Sequence, residues 1–305
     1  MMISIPDNFA HFIIELHGES GRAWLERLPT ILAMCEQRWH LTLGVPFANL
    51  SFHYVIPAMR ADGTAVVVKA QSPTGEFAEE TEALRLFDGH GTVQILAYDM
   101  NDEVMLLERL LPGTPLRKMA DDLKAISIAT TVMKQMWRPV PLEHSFATVE
   151  KWGEGFLRLR QHYEGGNGPF PKALLEEAET LYADLSASMT VPMLLHGDLH
   201  QDNILATERN VWKAIDPKGL IGEPAYETGA LLRNFLPDLL NFPNPKQILA
   251  RRVKQLAEEL DIEPARIRGW GLSQAVLAVW WGVEDNDQIG EDTLTCARLL
   301  SEIKI

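Results

Sequence analysis

The sequence predicts an α+β chain of two lobes: a small antiparallel β-sheet with one inserted helix, then a larger, mainly helical part. Three observations predict it. Short β-branched runs flanked by turn signals crowd the first third of the chain. Beyond residue 110 apolar residues recur at helical spacing, broken only in the middle by three short strand-like runs. "LLPGTPL", residues 110–116, reads as a linker, which sets the lobes at 1–109 and 110–305.

The elements follow in order. Residues 21–40 carry Trp24, Leu28, Ile31, Leu32, Cys35 and Trp39 at helical spacing, which predicts an amphipathic helix. "VPFANLSFHYVIPAM" is extended, Asp62-Gly63 marks a turn, and "TAVVVKA" follows as a β-branched strand. "EFAEETEALRLFDGHG" predicts a helix closed by Gly89 or Gly91. "VQILAYD" and "EVMLLER" form a second hairpin around Asn101-Asp102. Helices are then expected over 118–136, 150–163, 171–188, 224–235, 246–260, 264–281 and 290–303. Between them "MLLH", "NILA" and "VWKAID" are short strands, the last two turning at Glu208-Arg209-Asn210. Two lobes of this kind are expected to leave a ligand cleft.

Composition narrows the function. With 305 residues and 46% apolar content the chain has material for a packed core. A net charge of −14 argues against a nucleic-acid partner, whose phosphates call for cations, and suits a cationic small molecule. Cys35 and Cys296 sit in apolar helical contexts and read as buried free thiols, which favours a reducing cytoplasm. No signal-peptide pattern opens the chain, and no run reaches the ~18 apolar residues of a membrane span. The expected state is a monomer or weak homodimer.

The segment "LLHGDLHQDNIL", Leu194 to Leu205, concentrates polar groups between apolar runs. Three readings compete. His196, Asp198, His200 and Asp202 alternate as metal ligands on a strand would, yet the remaining histidines form no ligand-spaced pair. A hydrogen-bonded turn would use Asp198 and Asp202 to cap backbone amides. Phosphoryl transfer explains most. Asp198 and Asn203 have the D-x-x-x-x-N spacing of a kinase catalytic loop, and Asp216 ends the next apolar strand. The first aspartate takes the acceptor's proton, while the asparagine and second aspartate are hard oxygen ligands for Mg²⁺. That reading requires upstream parts, and they are present. Lys69 ends "AVVVK", Glu80 follows on a helix with Glu79 and Glu82 as competitors, and "VMLLERL" leads to a hinge.

"HGDLHQDNIL" followed by "AIDPKGLIGEPAYETGALLRN" resembles the aminoglycoside/hydroxyurea antibiotic-resistance kinases, within the aminoglycoside phosphotransferase group and its protein-kinase-like fold. "GRAWLERLPTILAMCEQRWHLTLG", "RADGTAVVVK" and "EETEALRLFDGHG" extend the resemblance over most of the chain. It implies transfer of a phosphoryl group from ATP, with Mg²⁺, to a hydroxyl of a small polar molecule. A streptomycin-like aminoglycoside or a hydroxyurea-type antibiotic is the leading acceptor. Carried over by position, Asp198 is the catalytic base and Asn203 and Asp216 hold Mg²⁺. Lys69 contacts the α- and β-phosphates, Glu80 orients it, and Glu108 and Arg109 offer backbone groups to adenine. Two alternatives stand beside it: a metabolic kinase for an amino alcohol or sugar, and a non-catalytic kinase-like nucleotide-binding module.

Some features depart from that pattern. "FANLSF", 47–52, stands where a glycine-rich phosphate loop would be. Glu223 reads as a first-turn acid beside Pro224, and Glu227 as a buried acceptor bracing the catalytic loop. His196 is expected beneath the loop. Trp270, Trp280 and Trp281 read as core, and Asp121-Asp122 as a surface pair. The acidic segment 284–292 reads as a solvated loop opening the last helix, with a contact to cationic substrate as the alternative.

Overall fold

The structure is a computed structural model that describes residues 5–208, 211–234 and 238–305. Two compact units divide the chain, Met1–Gly113 and Thr114–Ile305. The strand runs and glycine turns of the first unit fold as one antiparallel sheet. Its strands are β1 (Leu41–Leu43), β2 (Tyr54–Arg60), β3 (Ala65–Ala70), β4 (Ile95–Asp99) and β5 (Val104–Glu108), in the order β1-β2-β3-β5-β4. The β-branched β3 lies in the middle, paired with β2 and β5, where alternating Val66 and Val68 are fully buried. Helix α2 (Phe77–Phe87) is inserted between β3 and β4.

The first helix is longer than its apolar pattern suggests. Helix α1 (Asp7–Trp39) begins well before residue 21 and is interrupted at Gly18, whose φ of 57° and ψ of −126° only glycine adopts freely. A Cβ on Gly21 would stand 2.5 Å from the Ile13 carbonyl oxygen, so the two halves of α1 fold closely on each other. The "HGESG" stretch hides this start from a periodicity argument. Phe9, Ile13, Trp24, Leu28 and Leu32 of α1 share one buried cluster with Tyr54, Ile56, Val66 and Val68 of the sheet. Each large apolar side chain buried there contributes roughly 1.5–3 kcal/mol.

The second unit is helical, as its periodicity predicts. It contains α3 (Asp122–Met136), α4 (Val149–His162), α5 (Lys172–Ala187), α6 (Pro224–Arg233), α7 (Pro245–Leu260), α8 (Pro264–Asn286) and α9 (Glu291–Ser301). Proline opens α6, α7 and α8, where a missing N–H costs nothing. Asp121 and Thr148 cap α3 and α4 by accepting from Lys124 N and Lys151 N. Helix α8 forms the spine, with Trp270 and Trp280 buried. Trp270 meets Tyr182 and Tyr226 edge-on, at 5.0 Å between ring centroids in both cases. It runs beyond residue 281, so Glu284 and Asp285 are helical and not part of a loop. Asp122 is also no surface acid, because it accepts from the buried Arg252 of α7.

Short strands complete this unit. Strands β6 (Arg138–Pro139), β7 (Ala147–Thr148), β8 (Met193–Leu195) and β11 (Leu220–Gly222) form one small sheet. Strands β9 (Ile204–Ala206) and β10 (Trp212–Ala214) pair antiparallel. The expected turn residues Arg209 and Asn210, and Phe235 at the end of the helix expected over 224–235, lie outside the described residues. The cysteines are buried and free. Among the described residues no helix is long and apolar enough to cross a membrane.

Candidate active site

In the first unit the register of the sheet places Lys69 opposite Val55 and Met105, at one end of the central strand. Its Nζ donates to Glu80 Oε1 at 2.6 Å, and both residues are buried. The rival acids are otherwise placed: Glu82 faces Arg85 at 3.8 Å, and one Glu79 oxygen is buried without a partner. A buried ion pair is weak evidence for stability, since desolvation offsets most of its attraction. A lysine fixed on a central strand by a carboxylate is, however, an arrangement that can meet a phosphate. Glu108 ends β5 and Arg109 follows it, each partly exposed. The Glu108 N–H donates to Gln94 O and its Oε1 accepts from Gln94 N, at 3.0 and 2.8 Å, so the chain leaving the sheet is fixed.

In the second unit the polar segment that begins at His196 leaves β8 and is held from three sides. Glu227 of α6, 1% exposed, accepts from His196 N at 2.7 Å and Gly197 N at 3.0 Å. Burial pushes its carboxyl up to about 7, although the two N–H donors pull the other way. His196 is wholly buried beneath the segment. Its Nε2 bonds to Ile215 O at 2.8 Å and its Nδ1 accepts from Asp198 N at 3.2 Å. Those partners require a neutral ring with hydrogen on Nε2, and burial lowers its pKa to about 4. Gly197 has φ 86°, and a Cβ there would press on Leu220, Lys218 and Trp152 at 3.1–3.3 Å, so the turn is closed to larger residues.

Asp198 follows. Its Oδ1 accepts from Arg233 Nη2 at 3.1 Å, and His200 Nε2 lies 3.7 Å from Oδ2. Burial pushes the carboxyl up, but Arg233 first, then His200, His196 and Lys218, outweigh it and hold it below the usual aspartate value. Asp198 is therefore an ionised acceptor at neutral pH.

Asn203 and Asp216 come together through the β9–β10 hairpin. Ala214 pairs with Ile204, and Ile215 N donates to Asn203 O at 2.9 Å, so the two residues emerge at the same end of the ribbon. Asn203 Nδ2 donates to Asp198 O at 3.0 Å, which fixes the amide and leaves Oδ1 as its acceptor atom. Asp216 adopts φ 58°, a left-handed conformation that aspartate tolerates. An amide oxygen beside a carboxylate is a hard donor pair that fits Mg²⁺. The competing zinc reading fails on the same geometry. Both His196 nitrogens are used by the backbone, and Asp202 is bound to Arg117 Nε at 2.9 and 2.7 Å. Among the described residues no group of three or more His, Cys, Asp or Glu side chains is arranged to hold a metal.

The chain matches the family described as aminoglycoside/hydroxyurea antibiotic resistance kinase over residues 38–286. It belongs to that family. It is 30% identical over 284 residues to a streptomycin 6-kinase of Streptomyces griseus, covering 93% of this chain and 92% of that protein. To a hydroxyurea phosphotransferase of Kitasatospora aureofaciens it is 31% identical over 291 residues, covering 94% and 82%. Solved structures share its protein-kinase-like fold. A choline/ethanolamine kinase family protein from Mesorhizobium loti superposes with a TM-score of 0.66 at 15% identity, over 92% of this chain and 95% of that one. An aminoglycoside phosphotransferase in ternary complex with ADP and hygromycin B gives 0.62 at 14%, over 88% and 96%.

Within this kinase frame, the residue that sequence reasoning missed is Arg233. It sits six positions after Glu227 in "ETGALLRN", on the same helix, and nothing in its spacing from Asp198 advertises the pair. Glu223 is also more than a first-turn acid. It is 3% exposed, accepts from Arg266 Nε at 2.6 and 2.8 Å, and receives Trp270 Nε1, tying the start of α6 to α8. In the acidic segment, Glu284 is committed to Arg158 of α4 through two donors.

Proposed function

We propose that this kinase transfers the γ-phosphoryl group of ATP to a hydroxyl of a small polar molecule, with an aminoglycoside of the streptomycin kind as first choice and a hydroxyurea-type antibiotic as second. Support comes above all from the arrangement around Asp198: an ionised carboxylate bonded through its backbone to Asn203, at the hairpin end that also carries Asp216. The relatives named for streptomycin and hydroxyurea, at about this length and 30–31% identity, point to the acceptor class.

In this reading Asp198 accepts the proton of the acceptor hydroxyl as its oxygen bonds to the γ-phosphorus and the bond to ADP breaks. The Glu227 and His196 contacts hold Asp198 in place, and Arg233 keeps it ionised until the proton arrives. Lys69, oriented by Glu80, binds the α- and β-phosphates, and the backbone at Glu108 and Arg109 meets adenine. Asn203 and Asp216 hold Mg²⁺, which when bound neutralises charge on the phosphate oxygens.

A coupled ADP-release screen over aminoglycosides, hydroxyurea, amino alcohols and sugars tests the proposal. Acceptor-dependent ADP release with streptomycin or hydroxyurea is expected. Release with a sugar or amino alcohol alone would replace the antibiotic reading. Stabilisation by Mg²⁺ and a non-hydrolysable ATP analogue, with no release for any acceptor, would favour a binding module.

A further inference from the structure

The segment 47–53 is the part of the N-terminal unit that departs most from kinase chemistry, because it contains no glycine. Its location is set by register. It runs directly into β2, where Tyr54 pairs with Ala70 and Val55 with Lys69, so it lies at the Lys69 end of the hairpin. The backbone N–H groups of Asn49, Ser51 and Phe52 donate to no protein acceptor among the described residues. A loop with free donors at that place can meet phosphates only if something fixes its path. Glycine loops gain close approach from their lack of side chains, and this one cannot.

The first half of α1 supplies the fixing. Residues 7–17 precede the Gly18 break and are anchored by Phe9 and Ile13, buried in the cluster against the sheet. From this anchored segment Phe12 meets Phe52 edge-on, with centroids 5.6 Å apart and planes at 68°. Phe12 is 37% exposed and Phe52 50%, so the pair adds little to the core and ties the loop to the segment at the surface. A second tie lies at the loop's base. His17 Nε2 is 3.4 Å from Ser72 Oγ, and Ser72 N donates to His53 Nδ1 at 3.3 Å, just beyond the strand that carries Lys69. The family-model match begins at residue 38, so the loop lies inside the matched range and residues 7–17 precede it.

We infer that residues 7–17 brace the 47–53 loop and position it for the nucleotide's phosphates, with Phe12 and Phe52 as positioning residues. The inference rests on the kinase reading above. Its test is the affinity of the whole protein for a non-hydrolysable ATP analogue with Mg²⁺, measured by calorimetry without acceptor. The set is wild type, Phe12→Ala, Phe52→Ala, the double variant and Phe12→Tyr. Each alanine variant should weaken binding about fivefold, as loss of one aromatic pair implies. The double variant should be no weaker than the worse single one, and Phe12→Tyr should restore affinity. Phe52→Ala removes the exposed loop partner, so it remains informative if Phe12→Ala folds poorly. Analogue affinity within twofold of wild type in folded Phe52→Ala overturns the brace alone. A wild-type protein that binds no nucleotide overturns the kinase reading and the brace together.

Discussion

Asp198 Oδ1 lies 3.1 Å from Nη2 of Arg233, a guanidinium carried on the last turn of α6. Burial alone would raise the aspartate's pKa, and Arg233 is the largest of the charges that reverse this. Arg233→Met should therefore leave burial less opposed. The acidic limb of the kcat/KM profile should move to higher pH by roughly one unit or more, the usual effect of removing a close opposite charge. An unchanged limb would show that the other cations suffice.

Glu227 serves two backbone N–H groups at once, on His196 and Gly197. Glu227→Gln keeps one acceptor and turns an NH₂ toward the other donor. A buried unsatisfied donor costs about 1–3 kcal/mol. Thermal unfolding should show that loss, and kcat should fall more than KM for ATP changes, because the strained segment carries Asp198 and not the phosphate grip. A Glu227→Gln enzyme with wild-type melting temperature and kcat would remove the brace from the account.

His196 predicts a pH dependence of stability. The unfolded ring takes its proton near 6.5, whereas burial keeps the folded ring neutral to about 4. Between those values the unfolded state binds more protons, so this contribution is intact above 6.5 and is lost as pH falls through 4. Its full size is about 3 kcal/mol. Glu227 acts in the opposite direction. Its carboxyl is raised from 4.5 to about 7, so its contribution is present below 4.5 and lost as pH rises through 7. The wild-type curve should thus be flatter than either group alone would make it. The stability advantage of wild type over His196→Asn, read by denaturant unfolding, should shrink by about 3 kcal/mol from pH 7 to below pH 4. A constant difference would contradict the buried neutral ring.

The parts of this protein legible in its sequence are those set by local pattern. The β-branched run ending at Lys69, the helix carrying Glu80 and the periodic helices of the second unit are found where spacing places them. So is the ribbon joining Asn203 to Asp216. Apart from the brace from Glu227 to the 196–197 turn, non-local pairings stayed hidden. Strand β11 is three residues, the last of them Gly222, and only its pairing with β8 and β7 makes it a strand. Arg233 meets Asp198 across 35 positions, and Glu223 meets Arg266 across 43. Asp122 looked like a surface acid because the buried Arg252 that neutralises it comes from a helix far along the chain. Side-chain partners of this kind depend on packing, which no period records.

The most direct test of the central claim is phosphoryl transfer by Asp198→Asn in single-turnover assays with ATP and the acceptor identified by screening. The substitution keeps size and removes the proton acceptor, while Lys69 and its partner Glu80 are untouched. The account predicts analogue affinity within about twofold of wild type and a transfer rate reduced by roughly 10²–10⁴, the range for loss of a general base. Transfer at near wild-type rate, with the variant folded and binding nucleotide, would contradict it.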